Sequence, residues 1–307
     1  MKIGSLSGKT SFFGKYKTFL VVLIIAVLGI TFEVIHLDFN NSRGVSQTQE
    51  NKFDNLVNNV PSSPTPTPTP TPKPTPKPLT FAEMNSLYGP CIHLPVLMYH
   101  HIQGKDAATA DKQTSLTVYT DYFTAQMQYL KNKNYNFVRM NDLTNFFDSG
   151  TSIPARSVLI TFDDGYEDFY TDAYPILQRL GIPATMFVPT GLIDNPDYLT
   201  WSQISQMNGL ILFANHTWSH ANIELSGQKM KYEISTADTQ LFNHSLNSPK
   251  VFAYPYGLTS SQAESYLSSL DYKAAFTTVS GNILCKGKRF DLPRIRIGNA
   301  TLSSYGF

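Results

Sequence analysis

Two adjacent carboxylates follow an apolar run near the middle of the chain. Residues 157–165 read Ser-Val-Leu-Ile-Thr-Phe-Asp-Asp-Gly, so a strand buried on both faces would end at Asp163 and Asp164. Two like charges this close raise one pKa, and burial raises it further, unless a bound cation compensates. The alternative is that Asp-Gly forms a turn and the acids are solvated or cap the next helix. This stretch alone favours the turn.

Two histidines, His216 and His220, follow a second apolar run at residues 211–214. Imidazoles four positions apart can face one point, although such a pair alone is more often polar surface. Beside an acid pair at the end of another strand, two histidines and one carboxylate form a three-ligand site. Such a site leaves a position open for water, as hydrolytic metals require.

Two later motifs also carry polar groups to strand ends. Residues 254–257, Tyr-Pro-Tyr-Gly, form a rigid turn after the run at 251–253. This is either only a turn or a device that aims a backbone N–H at a developing oxyanion. Residues 292–295, Leu-Pro-Arg-Ile, place Arg294 between apolar residues. The arginine needs an acid partner if it is buried, and otherwise it lies on the surface.

From residue 79 onwards, strand-like apolar runs alternate with helical patterns. Besides the run before Asp163, the predicted strands are residues 94–99, 136–140, 184–188, 211–214 and 251–253. The predicted helices are residues 121–131 (capped by Asp121), 142–147, 168–180 (ending at Gly181), 229–246 and 260–270. This alternation predicts a parallel α/β fold, an irregular (β/α) barrel, in which catalytic groups collect where strands end.

The N-terminal third has a different composition. Residues 1–17 contain four lysines and no acid, and residues 18–32 are almost entirely apolar. We predict a cytoplasmic N-terminus (1–17) and a transmembrane signal anchor (18–37), with the remainder outside the membrane. The apolar core is short for a span, so a cleaved signal peptide is the alternative, and a buried core helix is a third. No convincing cleavage site follows it.

A Pro/Thr-rich tract at residues 61–78 separates this segment from the globular part. Alternating prolines favour polyproline II and prevent a core from forming, so we predict a disordered linker over 38–90. The globular domain is expected over 91–307, as a monomer. The net charge of +1 gives no sign of a nucleic-acid partner. Cys91 and Cys285 are compatible with one disulfide in an exported domain or with two unrelated buried thiols.

Taken in order, the motifs TFDDG, HTWSH, YPYG and LPRI resemble those of the polysaccharide deacetylases of carbohydrate esterase family 4. The resemblance covers about residues 91–300 and implies an irregular (β/α) barrel that acts on a polysaccharide. It implies that Asp163 is the general base and that a divalent metal, expected to be zinc, is held by three side chains. It also implies that the backbone at Tyr256 completes an oxyanion hole. The implied metal ligands are Asp164, His216 and His220.

Two departures from the family pattern concern the base and the acid. Most members have an arginine just before the Pro-Tyr turn, but Phe252 and Ala253 stand there, and Arg294 is the candidate substitute. Most members also have an acid histidine near the C-terminus, which this chain lacks after His244. The run Pro-Val-Leu-Met-Tyr-His-His at 95–101 instead resembles the permuted poly-N-acetylglucosamine deacetylases. This implies His100 as general acid, with His101 as second choice; either could merely close the barrel end through a hydrogen bond.

The implied activity is removal of N-acetyl groups from a cell-surface or extracellular polysaccharide that contains N-acetylglucosamine. Two alternatives stay open on the residues: an O-acetyl polysaccharide esterase, and a membrane-tethered glycan-binding module without turnover. Retention of both Asp163 and an acid histidine disfavours the binding module, because binding needs neither group. The sequence does not decide between amide and ester substrates, since an alkoxide leaving group needs less protonation than an amine.

Overall fold

A closed barrel of parallel strands carries the carboxylates and histidines singled out above. A computed structural model describes residues 77–224 and 227–307. The strands are β1 (Cys91–His93), β2 (Val96–Tyr99), β3 (His101–Gln103), β4 (Thr117–Tyr119), β5 (Asn136–Phe137), β6 (Ser157–Phe162), β7 (Ala184–Val188), β8 (Ile211–Asn215), β9 (Val251–Ala253), β10 (Ala274–Ser280), β11 (Ile283–Cys285) and β12 (Leu292–Arg296). The α-helices are α1 (Phe81–Tyr88), α2 (Lys105–Ala110), α3 (Thr120–Asn132), α4 (Met140–Ser149), α5 (Tyr174–Leu180), α6 (Trp201–Met207), α7 (Gly227–Asn243) and α8 (Ser261–Ser269).

The barrel runs in the order β2-β6-β7-β8-β9-β10-β12 and closes by pairing β12 with β2. Every pairing in it is parallel, and β5 adds at the edge of β6. Helices follow most of the strands and return the chain to the start of the next one, as parallel pairing requires. The predicted fold class, an irregular (β/α) barrel, is confirmed.

Side chains along β6 alternate between two apolar clusters, one on each face of the strand. Val158, Ile160 and Phe162 pack in the larger apolar cluster. Leu159 belongs instead to a second cluster, together with Leu292 of β12. Because side chains on a strand alternate between its faces, residues 161 and 163 share the face of Leu159, and residues 294 and 296 share the face of Leu292. The pleat therefore brings an acid and two arginines to one side.

Several predicted boundaries are wrong. Asp121 is not the N-cap of its helix, because β4 runs directly into α3 and Tyr119 occupies the cap position. The predicted strand 136–140 is limited to β5, because α4 already begins at Met140. The Asp142 carboxylate accepts a hydrogen bond from the Arg139 N–H at 2.7 Å, which favours the helix start there. The predicted end of a helix at Gly181 is confirmed: this glycine has φ +65°.

Folded structure begins earlier than Cys91. Residues 81–88 form α1 within the range that composition predicted as linker, and Thr80 and Glu83 form a capping box at its start. The helix is followed by β1, which pairs antiparallel with β11 and places Cys91 opposite Cys285. These two cysteines form a disulfide, so of the two readings that the sequence allowed, the paired one is correct.

The predicted membrane anchor at 18–37 lies outside the described residues, as does most of the predicted linker. Within residues 77–224 and 227–307, no helix has the length and apolar character needed to cross a membrane.

Candidate active site

Three predicted metal ligands meet at the carboxyl ends of β6 and β8. The ligand atoms of Asp164, His216 and His220 all lie within 4.8 Å of one another. The Nε2 atoms of His216 and His220 are 3.3 Å and 3.1 Å from Oδ1 of Asp164. Asp164 and His216 are buried, whereas His220 is only partly buried. Asp164 and the two histidines, which follow it by 52 and 56 residues, thus converge on one point.

The donor chemistry of this cluster fits a divalent metal ion. Nδ1 of His216 lies 2.7 Å from the carbonyl oxygen of Ala253 and donates to it, which leaves Nε2 as the free lone pair. Oδ1 of Asp164 is buried and has no hydrogen-bond partner among the described residues. Burial acts to raise the pKa of Asp164, but the two histidines outweigh it, and the pKa lies well below its usual value. An ionised carboxylate and two imidazole nitrogens form the kind of set that zinc prefers.

Asp163 has a different environment from its neighbour. Both of its oxygens accept hydrogen bonds from Arg294, with Nη1–Oδ1 and Nη2–Oδ2 distances of 2.7 Å. Arg294 is fully buried, and its Nε donates to the carbonyl oxygen of Thr277 at 3.0 Å. Burial acts to raise the pKa of Asp163, but the Arg294 charge outweighs it and lowers the pKa. The structure therefore excludes the surface alternative for Arg294.

The two consecutive histidines of the first barrel strand lie in different places. His100 lines a cavity of about 140 Å³ together with Asp163, Asp164, His216 and His220. His101 does not line that cavity; its Nδ1 lies 2.5 Å from Oδ2 of Asp168, and its ring stacks on Tyr166. Burial lowers the pKa of His100, and the two carboxylates oppose this effect.

Tyr256 closes the same cavity from the Tyr-Pro-Tyr-Gly turn. Its φ is +62°, uncommon for a residue with a Cβ and often associated with functional sites. The ring lies edge-on to His220 at a centroid distance of 4.8 Å. The following Gly257 is required, because a Cβ there would lie 2.1 Å from Oγ1 of Thr278. The turn therefore places Tyr256 against His220, one of the predicted metal ligands.

Four residues that line the cavity were not among the predicted site residues: Leu116, Tyr254, Thr278 and Arg296. For Arg296 a signal was available, because it comes two residues after Arg294 on β12 and so shares its face of the strand. Arg296 is exposed and forms no ion pair with a described residue. Leu116 lies in a loop, where the sequence gives no periodic signal.

The fold and site define a barrel hydrolase with an acid pair and two histidines at the carboxyl ends of its strands. A family profile described as polysaccharide deacetylase matches residues 151–275. The structure is similar to the Streptococcus pyogenes deacetylase PplD in complex with acetate, with 30% identity and a TM-score of 0.62. That likeness covers 67% of this chain and 92% of PplD. The chain belongs to the polysaccharide deacetylase family, as its motifs predicted.

Curated relatives include poly-β-1,6-N-acetyl-D-glucosamine N-deacetylases from two bacteria. The Staphylococcus epidermidis protein is 27% identical over 228 residues, covering 66% of this chain and 78% of its own length. The Escherichia coli K12 protein is 26% identical over 250 residues, and the match covers 66% of this chain but only 36% of that protein. The chain therefore spans about a third of the E. coli relative.

Proposed function

We propose that this protein removes N-acetyl groups from an N-acetylglucosamine-containing polysaccharide, with a divalent ion, expected to be zinc, held by Asp164, His216 and His220. The observation that carries the proposal is the convergence of this three-ligand cluster with Asp163 in one cavity. The names of the staphylococcal and E. coli relatives support an N-acetylglucosamine polymer as the substrate class.

Each remaining residue of the site has a separate role in the proposed reaction. The bound ion would supply a water of lowered pKa and polarise the acetamide carbonyl. Asp163 accepts the proton of the attacking water, and Arg294 keeps this carboxylate ionised and oriented. The backbone N–H of Tyr256 stabilises the oxyanion, and His100 donates a proton to the departing amine. The products are acetate and a glucosamine unit.

The function is tested by acetate release from four acetylated polymers. Wild-type protein should release acetate from at least one of chitin oligomers, poly-β-1,6-N-acetylglucosamine and peptidoglycan, and less from acetylxylan. Removing metal with a chelator should abolish release, and adding back zinc should restore it. His216→Ala should no longer bind one equivalent of metal. Turnover of acetylxylan alone would replace the amide hydrolase by an esterase, and binding of glycan without any acetate release would favour the binding module.

We also propose that the catalytic domain works outside the cytoplasmic membrane on the uncleaved anchor at 18–37, reached through the Pro/Thr-rich tract. The lysines ahead of the apolar run support this orientation. The Cys91–Cys285 disulfide supports an oxidising compartment. Protease added to intact protoplasts should digest the domain; protection of the domain would overturn the proposed topology.

A further inference from the structure

A second cavity, of about 570 Å³, lies next to the catalytic centre. Tyr166 lines it and follows Asp164 by two residues. His101, the neighbour of His100 in the sequence, lines it as well, so each cavity receives one of the two consecutive histidines. The two cavities share no lining residue. None of the side chains of this cavity takes part in the proposed reaction.

Negative charge dominates the second cavity. Its lining contains five carboxylates and, among the described residues, no lysine or arginine. The carboxylates are Asp111, Glu167, Asp168, Asp172 and Asp197. Within the described part of the chain, none of the five is paired with a lysine or arginine, and Asp168 makes a hydrogen bond with the His101 ring. A cavity with this field attracts a cation.

His101 supplies an independent sign that a hydrogen-bonding ligand enters this cavity. The side chain lines the cavity, and the residue is only 6% exposed. Its Nδ1 donates to the Asp168 carboxylate, so Nε2 is an acceptor when the ring is neutral and a donor when it is protonated. This Nε2 is buried and has no partner in the described part of the chain. A buried polar atom without a partner is costly, and a sugar hydroxyl, which can both donate and accept, would satisfy it in either form.

One wall of the cavity is aromatic. His101 stacks on Tyr166 with a centroid distance of 3.6 Å, and Tyr166 stacks on Tyr198 at 5.4 Å. Such a wall offers an apolar surface to a sugar ring and a favourable face to a cation. The ligand that this combination fits is therefore a sugar that carries a positive charge and several hydrogen-bond donors.

We propose that this cavity binds the protonated amino group of a glucosamine unit, one that has already lost its acetyl group, in the same glycan chain that occupies the catalytic cavity. The inference rests on the proposed function, because glucosamine is the product of that reaction. It gives the enzyme a preference for partly deacetylated chains, since each product unit adds a cation that the neighbouring cavity can hold.

The test is titration calorimetry of the full chain with four tetrasaccharides: glucosamine and N-acetylglucosamine, each with β-1,4 and β-1,6 linkage. The glucosamine tetramer should bind more tightly in at least one linkage, and added salt should weaken it. Asp197→Asn and Glu167→Gln should each weaken its binding by roughly 2- to 5-fold, as expected for one partly exposed ion pair. Asparagine also tolerates the φ of +69° at position 197.

Asp106→Asn is the matched control, because Asp106 is an exposed acid of α2 that does not line the cavity. Its affinity for the glucosamine tetramer should equal that of wild type. The proposal is overturned if the acetylated tetramers bind as tightly as the glucosamine tetramers in both linkages. Unchanged affinity in the Asp197→Asn, Glu167→Gln double variant also overturns it. Acetate release from the acetylated tetramers tests the proposed function separately, so failure of one does not hide failure of the other.

Discussion

Arg294 and Asp163 form a two-pronged ion pair inside the barrel, although they are 131 residues apart in the sequence. Each nitrogen–oxygen distance is 2.7 Å, and both side chains are buried. The paired geometry fixes the direction of the carboxylate as well as its charge. It is this contact that gives Asp163 a different chemistry from Asp164, the next residue in the chain.

Removing the arginine should therefore impair the base. In Arg294→Met we expect the pKa of Asp163 to rise, because the compensating charge is gone and burial remains. The acid limb of the kcat/KM profile should move to higher pH, and kcat/KM should fall by at least about 10²-fold at neutral pH. Arg294→Lys keeps the charge without the fork and should be intermediate. An unmoved acid limb in Arg294→Met would contradict the assignment.

The same pair should affect stability in a pH-dependent way. Since the folded-state pKa of Asp163 is lowered, its contribution to stability is present above the unfolded-state pKa. That contribution is lost as the pH falls through the folded-state pKa. Leaving this carboxylate buried and unpaired in Arg294→Met should lower the free energy of unfolding by about 3–5 kcal/mol at neutral pH. Urea unfolding of both proteins at several pH values measures the difference, which should shrink towards acid.

The two adjacent acids should separate metal binding from hydrolysis. Asp164→Asn removes a charged ligand, so metal affinity and activity should fall together. Asp163→Asn keeps the size of the side chain but removes the proton acceptor, so this variant should retain its metal while acetate release collapses. Metal titration and timed acetate assays on both variants measure this. Near wild-type hydrolysis by Asp163→Asn would exclude Asp163 as the base.

The neighbouring histidines provide a matched pair for the general acid. His100→Ala should lower turnover of amide substrates by ~10²–10⁴-fold, the usual effect of losing one acid catalyst. Acetyl esters with good leaving groups should lose much less, since their departure needs little protonation. His101→Ala, whose side chain lies outside the catalytic cavity, should cost less than His100→Ala. A larger loss at His101 would assign the role to that residue.

Arg296 should tune the pKa of His100. Burial is the largest cause of the lowered pKa of His100, and the positive charge of Arg296 contributes to it. Replacing this charge in Arg296→Gln should raise the pKa of His100, because protonation is then less opposed. NMR titration of the metal-free protein measures the shift directly, and the alkaline limb of the kcat profile should move to higher pH. A pKa that stays the same or falls would contradict the expected effect of the Arg296 charge on His100.

The disulfide should be worth a measurable part of the stability. Cys91 and Cys285 are 194 residues apart, so their bond constrains a long stretch of the unfolded chain. We expect Cys91→Ser with Cys285→Ser to lower the free energy of unfolding by about 2–5 kcal/mol. Denaturant unfolding of wild type and the double variant, with metal removed from both, checks this. Equal midpoints would show that pairing of β1 with β11 needs no covalent link.

The sequence by itself determined the chemistry-bearing residues and the fold class. Asp163, Asp164, His216 and His220 follow short apolar runs, and in a parallel barrel all such run ends face the same way. Local signals were therefore sufficient to predict these residues and the fold class. The signals are apolar runs, turn residues and alternation with helical patterns. Local signals predicted helix boundaries less accurately. The helix α3 begins directly after β4 and not at Asp121.

The tertiary structure alone decided which partner each residue has. Only closure of the barrel pairs β12 with β2, which in turn pairs with β6, so the contact between Arg294 and Asp163 has no local signal. His100 and His101 are chemically identical and adjacent, and they separate because consecutive side chains of an extended chain point to opposite sides. One reaches the catalytic cavity and the other the acidic one. Periodicity fixes the alternation, but only the packed barrel fixes what lies on each side.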